Sequence, residues 1–220
     1  MKWFKNSMLL LVLVSWGCQD RTALRKESRV AVLPYYNDPS FTPTWLEENS
    51  DSIRGMHRIP DFELINQLGD TITELTFADK IYVADFFFTS CPGICPKMTA
   101  NMQLVQEAFE SDQEIVLISH SVTPLYDSVP VLKRYADAKG VQAGKWHLVT
   151  GDRSTIYDLG RYAYFVDEDL GLSKEASDFL HTENFILVDK RKHIRGIYNG
   201  LNKTAIAQLI ADIKTLKAEY

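Results

Sequence analysis

The chain has 220 residues, 45% of them hydrophobic and 24% charged, with a formal net charge of −5; this length and mix suit one soluble domain. Residues 1–17 carry Lys2 and Lys5 and no acid, so the remainder carries −7. A mildly acidic chain with scattered Lys and Arg has no basic stripe, which excludes nucleic acid as a partner.

At the N-terminus, Lys2 and Lys5 precede the apolar run Met8–Val14, and Ser15-Trp16-Gly17-Cys18 follows. That order is a positive segment, a short apolar segment and a small residue before a cleavage point, as in an export signal. The run is far short of the ~20 residues a membrane-spanning helix needs. A cysteine directly after Gly17 resembles the bacterial lipobox, in which Cys18 takes the lipid and becomes the mature N-terminus. Ser15 and Trp16 depart from the Leu and small residue usual there. The expected organisation is an export signal over 1–17, a lipidated Cys18 with tether and extended segment over 18–58, and a domain over 59–220. The domain is then expected to be exported and lipid-anchored to a bacterial membrane, facing the periplasm. With Cys18 so used, one of three cysteines is accounted for and the pair Cys91 and Cys95 remains. So close a pair would staple almost nothing as a structural disulfide, and chemistry is the better reason for it.

Along the chain, Leu33–Pro39 with Pro43 predicts an extended, irregular stretch whose tyrosines and Trp45 pack on the domain. Phe62, Leu64 and Ile65, a turn around Gln67–Asp70, then Ile72 and Leu75 read as a β-hairpin. Ile81–Phe88 is a strand covered on both faces, leading directly into Thr89-Ser90-Cys91-Pro92-Gly93-Ile94-Cys95-Pro96. A helix follows from about Pro96 to Phe109, with Met98, Met102, Val105 and Phe109 on one face. Ile115–Ser119 is a second buried strand, and Val129–Lys139 a helix ended by Gly140. A short strand at Trp146–Val149 and a helix over Thr155–Tyr164 come next. The acidic stretch Val166–Leu180 reads as a long exposed loop. Phe185–Val188 and Ile194–Tyr198 are strands joined at Asp189–Lys192, and Lys203–Lys217 is a closing amphipathic helix. Strand–helix alternation followed by a hairpin and a helix implies an α/β fold with a central mixed sheet flanked by helices.

A cysteine pair where a buried strand meets a helix is the informative feature. A helix N-terminus offers free N–H groups and partial positive charge, which favour thiolate, the nucleophilic and metal-binding form. Pro96 fits the first helical turn, and side chains at i and i+4 share a face. Redox and metal chemistry both remain open on these grounds. Thioredoxin-like oxidoreductases use two intervening residues, against three here, and a cis-proline ahead of the facing strand. The last proline of this chain is Pro130, and His181 stands just ahead of Phe185–Val188.

Taken together, the chain resembles the SCO/SenC family of copper-binding cytochrome c oxidase assembly proteins, which are thioredoxin-like. Phe88–Pro96 matches that family's F-T-x-C-P-x-x-C-P signature, and Ser121-Val122-Thr123-Pro124 with Asp127 is similar to its S-V-D-P…D segment. Leu148–Gly151 is similar to its L-T-G, and His181 with Phe185–Asp189 to its H-x(3)-F-L-V-D stretch. The resemblance implies a thioredoxin-like fold with the hairpin as an N-terminal extension, and one copper ion, Cu(I) or Cu(II), held by Cys91, Cys95 and His181. It also implies a metallochaperone that takes copper from an upstream donor to the dinuclear copper site of cytochrome c oxidase subunit two. Gly93 replaces an Asp found in many members, and Thr123 replaces the Asp of S-V-D-P. Two thiolates and an imidazole suit copper, whereas a structural zinc site wants a fourth ligand. The alternative is a thiol–disulfide oxidoreductase that reduces the cysteines of a copper acceptor, using Cys91 and Cys95 as the redox pair. Hydrolase and nucleotide-binding motifs are absent from the sequence.

Other residues have plainer readings. Met98 and Met102 belong to a core stripe. His57 is expected in solvent, His120 at a strand end, His147 packed in a strand, and His193 exposed at a hairpin turn. Asp127 either steadies the loops around the site or caps a turn or helix. Val166–Leu180, directly before His181, is expected to move that histidine relative to the thiolates.

Overall fold

The computed structural model describes residues 27–47, 50–166, 180 and 182–220. The expected export signal, Cys18, most of the acidic stretch (167–179) and His181 lie outside these described residues.

A one-turn helix, α1 (Asp51–Arg54), precedes the domain, capped by the Ser50 side chain. The expected hairpin forms from β1 (Glu63–Asn66) and β2 (Thr71–Thr73), with Leu64 opposite Ile72. Leu75 is not part of it: the chain turns into a 3₁₀ helix, Glu74–Phe77, and leaves Leu75 74% exposed. β3 (Ile81–Phe87) is buried along its whole length, as a strand with helices or loops over both faces must be. Helix α2 (Cys95–Ala108) returns the chain to β4 (Ile115–Ser121), which lies parallel to β3 with Val83 opposite Leu117 and Asp85 opposite Ser119. β4 extends past Ser119, so His120 sits inside the strand. Helix α3 (Val129–Lys139), stopped by Gly140 in the left-handed conformation at φ 65°, leads to β5 (Trp146–Thr150), parallel to β4. Without a Cβ, glycine takes that conformation freely.

The helix expected over Thr155–Tyr164 is two pieces: α4 (Arg153–Asp158), capped by Asp152, and a π-helical turn over Leu159–Ala163. β6 (Asn184–Val188) and β7 (Ile194–Asn199) form the second hairpin, and α5 (Lys203–Lys217) closes the fold. The seven-stranded mixed sheet has the order β2-β1-β5-β4-β3-β6-β7.

Each sheet face carries its own apolar cluster. Met98, Met102 and Val105 of α2, Leu132 of α3 and Ile206, Leu209 and Ile213 of α5 pack on one face. Ile59, Phe62, Phe77, Ile156, Tyr164 and Leu180 cover the other. Burying such side chains removes roughly 25 cal/mol of unfavourable hydration per Å² of apolar surface. Ahead of the domain, Tyr35 is buried and bonds through its backbone to Thr44, but Trp45 stays 56% exposed, its indole N–H donating to the Val32 carbonyl. Among the described residues no helix is long and apolar enough to cross a membrane.

Candidate metal and redox site

The end of β3, the start of α2 and the loop after β4 meet at the C-terminal end of the two central parallel strands. Cys91 lies in the β3–α2 connection, its backbone N–H donating to the Phe88 carbonyl at 3.3 Å, and Cys95 opens α2 itself. Pro96 occupies the first turn, and no side chain caps the helix, so the free N–H groups there face the cysteine loop. Both cysteines are free thiols, Cys91 partly exposed and Cys95 buried.

Their environments drive the two thiols apart. Burial opposes the Cys91 thiolate, but hydrogen bonds from the Cys95 thiol and from the backbone N–H groups of Cys95, Gly93 and Ile94 outweigh it and hold Cys91 below the usual thiol value. Cys95 goes the other way: burial and its bond to Cys91 push it up to about 12. Cys91 is thus the outer, thiolate-prone sulfur and Cys95 its inner, protonated partner.

Asp127 ties the loop in place. Buried to 1% exposure, its carboxylate accepts from the Thr89 backbone N–H at 3.2 Å and the Thr89 hydroxyl at 2.5 Å. It also accepts from the Ser121 hydroxyl at 2.6 Å and the Thr123 hydroxyl at 3.0 Å. One side chain therefore joins the residue two before Cys91 to the end of β4. Thr123, where the resemblance leads one to expect Asp, serves here as a donor to Asp127; a second carboxylate at that distance would repel it. A Cβ at Gly93 would meet only the Cys91 sulfur, at 4.0 Å, so the loop has room for the Asp that many members carry.

Asp85 was missed in the sequence. It lies in β3, 2% exposed, on the cysteine side of the sheet, accepting from the Ser119 hydroxyl, which in turn accepts from the Trp146 indole N–H at 2.8 Å. Burial raises its carboxyl to about 7 against that single hydrogen bond. The signal that would have found it is one acid within the otherwise apolar run Ile81–Phe87.

The histidines divide differently from expectation. His57 is half-buried rather than solvated: its Nε2 lies 2.8 Å from the Ala163 carbonyl, and its ring packs on Phe165. His193 is 3% exposed, a correction to the surface position expected of a turn residue. Its Nδ1 lies 2.9 Å from the His57 carbonyl, Tyr35 packs edge-on against its ring, and its N–H donates to Asp189. His193 is buried, while Arg191 at the turn's tip stays exposed, because the N-terminal segment packs against its ring. His147 is packed in β5 against Phe77. His120 is fully buried on the face away from the cysteines, stacked 4.7 Å from Phe86, with burial lowering it to about 4. Met98 and Met102 are core residues, 1% and 0% exposed. Val166 and Leu180, the ends of the stretch expected to be an exposed loop, are both buried to 1%.

Among the described residues, no three His, Cys, Asp or Glu side chains cluster as a metal site. Cys91 and Cys95 are the soft donors in hand, and His181, the expected third, lies outside the described residues.

A mixed sheet with a dithiol at the junction of a central strand and its following helix defines a thioredoxin-like protein. Within that class, the SCO1/SenC family model matches residues 50–218, and the chain belongs to that family. An SCO1/SenC family lipoprotein from Bacillus anthracis is 29% identical, with 73% of this chain and 95% of that one covered and a TM-score of 0.64. BsSco, described as a member of the Sco family of cytochrome c oxidase assembly proteins with a disulfide switch, is 26% identical, with 74% and 95% covered and a TM-score of 0.63. Copper-bound ScoI of Bradyrhizobium japonicum is 24% identical, with 71% and 98% covered and a TM-score of 0.56, a likeness of fold.

Proposed function

We propose that this protein carries one copper ion on Cys91, Cys95 and His181 and delivers it to the dinuclear copper site of cytochrome c oxidase subunit two. It would receive the ion from an upstream donor, held at the outer face of a bacterial membrane by lipid on Cys18 after removal of residues 1–17. The carrying observation is the paired thiols at the N-terminus of α2, in hydrogen-bond contact and unlike in exposure. Two thiolates in contact, one in the loop and one at the first residue of α2, fit a soft ion that accepts two or three ligands. Copper is cargo here, so the site must hold it and release it. Cys91, the outer sulfur, is where an acceptor's ligand exchanges first, while Cys95 retains its grip from below. Asp127 supports the pair by fixing the loop at Thr89.

Copper titration of the reduced full-length protein in detergent tests this. One copper per chain with thiolate-to-copper charge-transfer bands, lost in Cys91→Ser and shifted in His181→Ala, is the expected result; unchanged binding in Cys91→Ser would end the proposal.

A second reading, a thiol–disulfide oxidoreductase acting on a copper acceptor, is favoured by the same split between a partly exposed, thiolate-prone Cys91 and a buried Cys95. That is the arrangement of an attacking and a resolving thiol. Rapid reduction of a protein disulfide by a chain that binds no copper tightly would make it the primary activity.

A further inference from the structure

Of the large apolar side chains that the described residues leave in solvent, Leu125 and Tyr126 are the most exposed, at 86% and 78%, and the only two adjacent in the chain. Apolar residues exposed singly are ordinary, whereas neighbouring ones mark a contact surface. The pair forms the tip of the turn between β4 and α3, and that turn is fixed beneath them. The N–H groups of Tyr126 and Asp127 both donate to the Thr123 carbonyl at 2.9 Å, and the Thr123 N–H donates to the Ser121 hydroxyl at 3.2 Å. The Val122 N–H donates to the Phe87 carbonyl at 2.9 Å, and the Val122 carbonyl accepts from the Tyr157 hydroxyl at 3.1 Å. A braced base thus holds the two side chains out in water.

The same braces lead to the thiols. Phe87 and Thr89 belong to the segment that runs into Cys91, and the Asp127 carboxylate accepts from both the N–H and the hydroxyl of Thr89. Turn and cysteine loop therefore stand side by side at the C-terminal end of β3 and β4. Both are uncharged: neither residues 88–96 nor residues 121–126 include Asp, Glu, Lys or Arg, in a chain that is 24% charged. Asp127, next along, is buried, and Pro92 and Gly93 are exposed beside the partly exposed Cys91. A partner that exchanges a ligand with Cys91 must bring its own sulfur to bonding distance, and so covers what stands around it. Two side chains offer at most a few hundred Å², short of the about 800 Å² per partner of a stable complex. That area is too small for a lasting dimer of this chain and fits a brief exchange complex.

We propose that Leu125 and Tyr126 are the docking contact for the copper acceptor, seating an uncharged, apolar segment beside the acceptor's cysteines. The inference rests on the reading of Cys91 as the exchanging sulfur and needs nothing of the third ligand. In the docked pair an acceptor thiolate bonds to Cu(I) as the bond from copper to Cys91 breaks. The freed Cys91 sulfur takes up, through solvent, the proton the acceptor thiol gave up, and copper stays Cu(I). A rigid turn loses little freedom on docking, and truncating an apolar anchor of this kind typically weakens a complex about tenfold or more.

The test follows Cu(I) transfer from the full-length protein in phospholipid discs to the soluble copper-binding domain of cytochrome c oxidase subunit two, reduced and copper-free. Transfer to a small dithiol chelator is measured alongside. With Leu125→Ser and Tyr126→Ser combined, transfer to the domain is expected to slow about 10-fold or more at low acceptor concentration. The acceptor concentration for half-maximal rate should rise while the limiting rate is kept. Transfer to the dithiol and copper stoichiometry should stay native. Leu75→Ser changes a side chain 74% exposed in the turn that leads into β3, at the opposite end of that strand, and should alter neither rate; a loss equal to the double variant's would overturn the inference as nonspecific. An unchanged rate to the domain in the double variant would assign the pair to a second copy or to the bilayer and overturn this inference alone. Equal slowing toward domain and dithiol would place the effect on the thiols themselves, and the docking role would fall. If the native chain gave copper to the dithiol and none to the domain, delivery to that acceptor would fall and this inference with it. Should the double variant not fold, Tyr126→Ala must by itself slow transfer to the domain, and a native rate there would be decisive against the proposal.

Discussion

The two ends of the sheet treat buried charge in opposite ways. Near the β6–β7 turn, Arg195 is 1% exposed and fully engaged: it donates to Asp189 at 3.2 Å, to Glu219 at 2.7 Å and to the carbonyls of Leu33 and Pro34, and it lies 4.0 Å over the Tyr35 ring. The buried carboxylate there has a buried cation. At the cysteine end, Asp127 is as deeply buried but accepts only from hydroxyls and one backbone N–H. Asp85 has a single hydroxyl donor and is pushed toward its neutral form. The first end is neutralised and built to stay shut. The second, among the described residues, gives its buried carboxylates hydroxyl and backbone donors and no ion pair, an arrangement that suits the proposed cargo, a positive ion held and released by sulfur.

The largest effect should come from breaking the neutralised end. Arg195→Ala strands Asp189, which is 0% exposed at its side chain, and partly buried Glu219, and removing one partner of a buried ion pair typically costs about 3–5 kcal/mol. It also frees the N-terminal segment at Leu33 and Pro34. Urea unfolding should show that loss with copper stoichiometry unchanged at a denaturant concentration where the variant is folded; a loss under 1 kcal/mol (on the order of a surface pair) would contradict the comparison. Asp127→Ala should do the reverse. Its stability loss, about 1–3 kcal/mol for donors left unpaired in a buried place, is smaller, but copper affinity should fall about 10–100-fold because the loop at Thr89 is released. Isothermal titration with Cu(I) in competition with a chelator reads it directly.

How much of this was legible in the sequence follows the same division. Periodicity found β3, β4, α2, α3 and α5 because each is covered by apolar partners at its own repeat, and the spacing of Cys91 and Cys95 marked the strand–helix junction. The Arg195 end was illegible: its partners Leu33, Pro34, Asp189 and Glu219 are scattered along the chain, and no local pattern announces a contact across 162 residues. His193 was misplaced for the same reason, since the residues that cover its ring, Tyr35 and the His57 carbonyl, come from a distant part of the chain. The π turn at Leu159–Ala163 escaped because its apolar residues fit a helical repeat. Asp85 alone broke its local pattern, and that break was the available clue.

Proton linkage sharpens the comparison at a smaller scale. Asp85 has a folded-state value of about 7, above the ~3.9 of an unfolded aspartate, so the folded chain holds the extra proton. Its contribution is fully present below pH ~4, falls away as the pH rises to 7, and is constant beyond. His120 runs the opposite way. Its folded value of about 4 lies below the ~6.5 of free histidine, so its contribution is present above pH 6.5 and lost as the pH drops toward 4. Relative to the native chain, Asp85→Asn should therefore gain stability steadily between pH 4 and 7. A difference between the two that stays flat over that range, in urea unfolding at stepped pH, would show that Asp85 ionises freely where it lies.

The smallest expected effect concerns the thiols themselves. In the reduced, copper-free protein, Cys91 is lowered against burial by the Cys95 thiol and by backbone donors, and Cys95 is raised by burial, so alkylation at pH 7 should label Cys91 first and Cys95 barely at all. Gly93→Asp places a carboxylate at a position whose Cβ would face the Cys91 sulfur, 4.0 Å away. Like charges disfavour each other's ionised forms, and the site is open to solvent, so the thiolate should weaken only modestly, slowing alkylation a few-fold at most. The change must appear as a shift of the Cys91 rate profile to higher pH with Cys95 unaffected. If instead the two cysteines reacted at equal rates in the native chain, the division into an outer, exchangeable sulfur and an inner, retaining one would fail, and with it the order in which the proposed carrier would surrender its cargo.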